Sequence, residues 1–505
     1  MLIKENKTIK TILIWMLLIM ISIFIINYAA SSILKNKIQN VNSEYSIKVK
    51  NIHLNLLNGY AEVKELTLNS KKRNKDSIAL KVQSVNIMGI SITNLISPKS
   101  LSFKKIKISS PEINVYKGDT VNSTDNTDNP KTTNLDYLKI SDIQMVNGKL
   151  TYHKTKEDSI IELKKINLSI VNFKIDSNTI KKHIPFTYKT ALLMVDSLSV
   201  PMSKYEKLQL ANLTINNDKI LINNLQIIPY YSKQELQSKI NIERDWIKLF
   251  VKRLEINDYI INKNSNDSLY SFKKFQIDSA SLVVYRNKLL ADDSSYKPLY
   301  SKQLRELPIK LNVDSIFITK SSIIYEERVE KEGEPGKIHF NSISSTITNI
   351  NNYKKETITN IDLTTMFMND AKFDFKWSFQ ISNTSDYFNM NGKLVGLDIA
   401  KTNEFLLPNL NVKTSGYIKE LNFNIAGNDV EANGTLNMNY EDFKIDISKK
   451  DKTIKSVLNA VANLIIKNKN RKSKNKEFKV TRDQQKSVFN YLWLCIKDGA
   501  LDNII

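Results

Sequence analysis

Cysteine is almost absent: Cys495 is the one thiol in 505 residues. A single thiol closes no intrachain disulfide and cannot found a cysteine-rich zinc cluster. Histidine is scarce too, since His53, His153, His183 and His339 stand far apart and none has a second histidine or cysteine at ligand spacing. Stability must come from apolar burial. With only 12 glycines and 10 prolines, breaks are few, and residues 46–447 offer no obvious cut into independent domains. Two stretches read otherwise: Gly118 to Asn134, rich in Asp, Asn, Thr and Ser, as an exposed loop between two β blocks, and Lys331 to Lys337 as a turn.

Catalytic motifs are missing as well. The chain has no Gly-x-Ser-x-Gly elbow, no phosphate loop and no His-Glu-x-x-His, and its carboxylate pairs Asp292-Asp293 and Glu326-Glu327 sit among loop-like residues. The expectation is a protein that is not an enzyme, with no metal and no cofactor. A net charge of +22 invites a nucleic-acid partner, but most lysines alternate with apolar residues, as in Lys48-Val49-Lys50, and so decorate the wet face of strands. No nucleic acid is expected. Two runs are denser: Lys71-Lys72-Arg73-Asn74-Lys75, and Lys467, Lys469, Arg471, Lys472, Lys474, Lys476 and Lys479. Both fit solvated loops, and the second also fits contact with an anionic membrane surface, at about 1 kcal/mol per basic residue.

What the chain does have begins at its start. An uncharged, mostly apolar run from Thr11 to Leu34 follows Lys4, Lys7 and Lys10 and precedes Lys35 and Lys37. At about 1.5 Å per residue it spans a bilayer core of about 30 Å, so residues 11–34 are expected to be a single-pass transmembrane anchor. The excess of positive charge puts residues 1–10 in the cytoplasm and exports the rest. A cleaved signal peptide is the competing reading of the same run.

Beyond the anchor the dominant period is two. Phe373, Phe375, Trp377, Phe379 and Ile381 alternate with Asp374, Lys376, Ser378 and Gln380, giving an apolar and a polar face. The same alternation runs through Ile52-His53-Leu54-Asn55-Leu56, Ala61 to Leu68, Leu163 to Phe173, Leu208 to Ile215 and Leu311 to Ile318. The natural reading is mainly β, with antiparallel strands wet on one face. A strand–turn–strand unit can be traced at Ile140 to Tyr152, Leu213 to Ile222 and Ile316 to Tyr325, implying a long meander of hairpins. Residues 453–505 change character. Ile454, Val457, Leu458, Val461, Leu464 and Ile465 have helical spacing, and a second helix carries Val488, Phe489, Leu492, Trp493 and Ile496, the two flanking a basic linker at 467–479.

An extended sheet must cover its apolar face, and few helices precede Thr453. Either the sheet closes on itself or the face holds an apolar ligand.

The anchor followed by Ile52 to Leu68, with Leu57-Asn58-Gly59 at its turn, then Val85 to Ile92 and Ile106 to Val115, resembles the opening of AsmA-like envelope proteins. Gly416-Tyr417-Ile418, Gly427, Gly434 to Tyr440 and Phe489-Asn490-Tyr491-Leu492-Trp493 resemble their C-terminal region. The resemblance implies an inner-membrane protein of a diderm bacterium. Its periplasmic part, here residues 35–452, would be an elongated sheet curled into a U-shaped apolar groove. Such proteins are implicated in phospholipid transport between membranes and in outer-membrane assembly. Phospholipids, and an envelope protein at the distal C-terminal end, are the implied partners. The chain is short for the family, which favours shuttling, docking or regulation over stand-alone bridging. The groove-lining candidates are Phe373, Phe375, Trp377, Phe379 and Ile381, then Ile52, Leu54, Leu56, Val85 and Ile87. The competing reading is an envelope scaffold whose sheet is a closed sandwich or barrel without lipid.

Overall fold

The computed structural model describes residues 45–55, 58–70, 76–90, 100–118, 136–153, 160–180, 185–264, 267–354, 356–447, 471–472 and 476–504. The expected anchor 11–34, the candidate Leu56, the run Lys71 to Lys75, the expected loop Gly118 to Asn134 apart from Gly118 itself, the helix at Ile454 to Ile465, and Lys467, Lys469 and Lys474 lie outside the described residues. Among the described residues no helix is long and apolar enough to cross a membrane. The fold is mainly β. The chain divides into two compact units, one of residues 1–201 with 210–217, the other of 202–209 with 218–505.

The first unit contains β1 (Tyr45–Asn55), β2 (Tyr60–Ser70), β3 (Ser77–Met88), β4 (Ser100–Ser109), β5 (Glu112–Tyr116), β6 (Tyr137–His153), β7 (Ile160–Asp176) and β8 (Thr190–Pro201). β9 (Glu206–Ile215) is divided between the units. The second has β10 (Lys219–Pro229), β11 (Trp246–Asn264), β12 (Asp267–Asn287), β13 (Lys310–Arg328), β14 (Gly336–Asn351), β15 (Ile358–Phe367), β16 (Ala371–Gln380), β17 (Phe388–Asp398), β18 (Val412–Gly427), β19 (Glu431–Ile447), β20 (Arg471–Lys472) and β21 (Lys476–Thr481). The α-helices among its described residues are α1 (Lys233–Ser238), α2 (Tyr300–Arg305), α3 (Asn403–Leu410) and α4 (Val488–Ile504).

Most ladders are antiparallel, as period-two patterning with one wet face requires. Two joints differ from the expected all-antiparallel sheet: β6 runs parallel to β4 and β5, and β13 runs parallel to β12. A parallel join needs a crossover. Residues 288–309, which include α2, make the one between β12 and β13.

Two of the three expected hairpins prove to be bulged single strands. Asn147 lies inside β6 at φ 55° and Lys320 inside β13 at φ 49°, with register shifts beside them. A bulge inserts one residue and flips the phase of alternation, which in sequence looks like a turn. The third, at Asn216 to Asp218, is a true connection, since β9 ends at Ile215 and β10 starts at Lys219. Similar left-handed positions recur at Glu65, Lys165, Asn224, Asp258, Ser279 and Ser342. Each bulge bends and twists its strand, giving a long sheet the curvature that regular alternation lacks.

In the first unit cross-strand partners, which share a face, form a row of Ile52, Val63, Val85, Ile108, Met145, Leu168 and Leu193, one residue per strand. Most of that side is core: Val63, Val85, Ile108 and Met145 are buried. Only strands and their connections are present among this unit's described residues.

Candidate apolar binding face

The second unit repeats this arrangement over a greater width. Following the registers gives a row of Ile220, Ile256, Phe275, Ile316, Ile347, Ile361, Trp377, Met390, Ile425, Gly434 and Phe478, one residue from each of β10 to β19 and then β21. The row beside it holds Ile222, Leu254, Ile277, Ile318, Ser345, Leu363 and Phe375. Between these rows the side chains turn to the other side and are mostly polar, as with Glu255, Gln276, Thr346, Asp362 and Lys376.

This face is covered at one end and open at the other. Over β16 to β21 it is core: Trp377 is 8% exposed and Met390 2%, and Phe379, Ile381, Ile425 and Phe478 are buried with them. α2 and α4 supply the cover. The Tyr300 ring of α2 stands 5.5 Å from Trp377, and Tyr491 of α4 meets Phe388 edge-on at 6.1 Å. α4 packs through Val488, Tyr491, Cys495 and Gly499, spaced three and four apart on one stripe. Gly499 is required there, because a Cβ would come within 2.8 Å of Leu436 and 2.9 Å of Phe478. Of the residues expected to carry this helix, Val488 is buried, whereas Phe489 and Trp493 point outward at 63% and 41% exposure.

Polar contacts fix α2. The Arg305 guanidinium donates to the Asp386 carboxylate at 2.9 and 3.1 Å and to the Ile381 carbonyl at 2.7 Å, and the Ser301 hydroxyl donates to Asp386 at 2.7 Å. Arg482, fully buried, ties the segment before α4 to Asp429 and to the Lys297 carbonyl.

Over β10 to β14 no such cover exists among the described residues. Ile220, Phe275, Ile277, Ile316, Ile318 and Ile347 are half-buried on one side, and Ile256 and Ser345 in the same rows are buried. α1 packs on the opposite side, where the Lys233 ammonium lies over the rings of Trp246 and Tyr285 and pairs with Glu326 at 2.6 Å. α3 lies at the start of β14, where His339 Nε2 and Glu404 are 3.0 Å apart and Asn409 packs against Gly336. One end of the open face, at the close of β12 and β13, is polar. Arg286 donates to Asp245 at 2.7 and 2.8 Å, and the Tyr325 hydroxyl donates to Glu327 at 2.6 Å. Burial, and then the Glu327 charge, push the Tyr325 phenol well above its ordinary value.

The candidates from sequence fall in both units. Phe373, Phe375, Trp377 and Phe379 share one face of β16 with Ile381 just past its end, and the first two are half-buried against Phe423 at 6.3 and 6.4 Å. Ile52, Val85 and Ile87 belong to the first unit, with Val85 and Ile87 in its core; Leu54 lies on β1 opposite Ala61. Sequence reasoning missed the open stretch from Ile220 to Ile347. The signal was present as alternation in each strand, but only the register shows that the apolar residues align. The carboxylate pairs are partnered: Glu326 by Lys233, Glu327 by Tyr325, Asp292 by Lys486 at 2.6 Å and Asp293 by Lys297. Of the basic run, Lys479 pairs with Glu431 at 2.8 Å on β19.

No family model matches the chain, and no curated protein matches it.

Proposed function

We propose that the open apolar face of the second unit shelters the acyl chains of phospholipid. The protein is then a non-enzymatic envelope component, anchored in the inner membrane of a diderm bacterium with its bulk in the periplasm, that assists lipid transport or outer-membrane assembly. One observation supports this reading: aligned rows of isoleucine and phenylalanine, most of them half-buried, cross β10 to β14 with no covering helix among the described residues. An uncovered apolar face of this width marks a binding surface. Each methylene moved onto it from water contributes about 0.8 kcal/mol, while headgroups stay wet beside Arg286 and its polar neighbours. The AsmA-like resemblance points the same way.

A closed scaffold without lipid is favoured instead by the buried cores at β16 to β21 and in the first unit. The two readings separate in cells. A photocrosslinking residue at Ile277, on the open face, is compared with one at Gln276, on the other side of the same strand. Phospholipid adducts at 277 and none at 276 support the lipid reading. Adducts at neither position in a folded chain move the assignment to the scaffold.

A further inference from the structure

Behind the apolar face, over β17 to β21, the second unit carries a shallow depression lined by Asn389, Asn391, Asn424, Asn433, Thr435 and Glu477. The register builds it. Asn391 stands opposite Asn424, Asn424 opposite Thr435 and Thr435 opposite Glu477. In the next row Ala426 stands between Asn389 and Asn433, and its single methyl leaves the hollow.

The chemistry departs from the chain's own habit. Its wet strand faces are usually built with lysine, as Lys372 and Lys376 show on neighbouring β16. Here amides replace them. Asn391, Asn424 and Asn433 are exposed and spend no side-chain hydrogen bond on a described neighbour. Each offers two donors and one acceptor, held in rows about 4.8 Å apart by the strand spacing. Among the described residues no free cation lines it, because Lys479 is taken by Glu431 at 2.8 Å, and Glu477 is the one carboxylate of the lining. At the margin Tyr387, 43% exposed, donates its hydroxyl to Asn389 at 3.0 Å and presents a flat ring.

Phosphate or nucleic acid would need uncompensated cations, and a peptide strand would add to a sheet edge rather than to a face. Paired amide donors and acceptors, with a single carboxylate and no free cation among the described residues, match the hydroxyls of a sugar chain. We propose that this depression is a binding site for a neutral polysaccharide, independent of whether the opposite face carries lipid.

Isothermal titration of the full chain in detergent micelles with chitotetraose and with cellotetraose tests it. Wild type should bind at least one of the two saturably. N391A/N424A should bind it about tenfold more weakly, equivalent to about 1.4 kcal/mol, with the melting temperature kept because both side chains are exposed. Lys372→Ala, on the next strand, should change nothing. Failure of both sugars to bind saturably at millimolar concentration overturns the proposal, as does equal affinity in the folded double variant.

Discussion

Replacing Ile316 with glutamate separates binding from folding. Ile316 is half-buried in the middle of the open face, between Phe275 and Ile347 across the ladders. Full burial of such a side chain is worth about 1.5–3 kcal/mol, so losing its partial burial should cost the empty protein only about 1 kcal/mol, with the carboxylate reaching water. An acyl chain along the row suffers more. If the charge denies it three methylene contacts, the loss is about 2.4 kcal/mol, or roughly fiftyfold in affinity. The assay counts phospholipid adducts from a crosslinker at Ile277 in I316E, beside a melting curve. Undiminished adduct yield in the folded variant would refute the reasoning. Trp377→Glu would not serve, because Trp377 is 8% exposed beneath Tyr300 and a charge placed there reads out as unfolding.

Other consequences can be measured directly. Burial pushes the Cys495 thiol up to about 12 and leaves it 1% exposed, so iodoacetamide at pH 8 should label it only in denaturant; rapid native labelling would show that α4 is not packed. A Cβ at Gly392 would lie 2.2 Å from the Phe423 ring, so Gly392→Val should destabilise by about 2 kcal/mol in urea titration, and an unshifted midpoint would contradict that packing. Hydrogen bonds from Lys219 and then Arg253 hold Glu255 down to about 2. A depressed carboxylate contributes stability above its unfolded value and loses it as pH falls toward its folded one. The melting deficit of Glu255→Gln should therefore be constant near neutrality and shrink between about pH 4.5 and 2; a deficit that persists to pH 2 would refute the assignment.

Alternation alone determined that the chain is mainly β and which side of each strand is apolar, because successive side chains on a strand point to opposite faces whatever it pairs with. It located the β16 face from Phe373 to Phe379 and the Asn216 to Asp218 connection without further information. It could not distinguish a bulge from a turn at Asn147 or Lys320, since both interrupt the phase in the same way. Nor could it say which apolar faces are covered. Trp377 and Ile316 look equivalent in sequence, and their different exposure follows from α2, which a parallel join between β12 and β13 carries across β16 and which Arg305 and Asp386 fasten there. α2 itself is distant in sequence from the strand it covers. Burial is a property of partners brought together by register and crossover, and local pattern does not contain it.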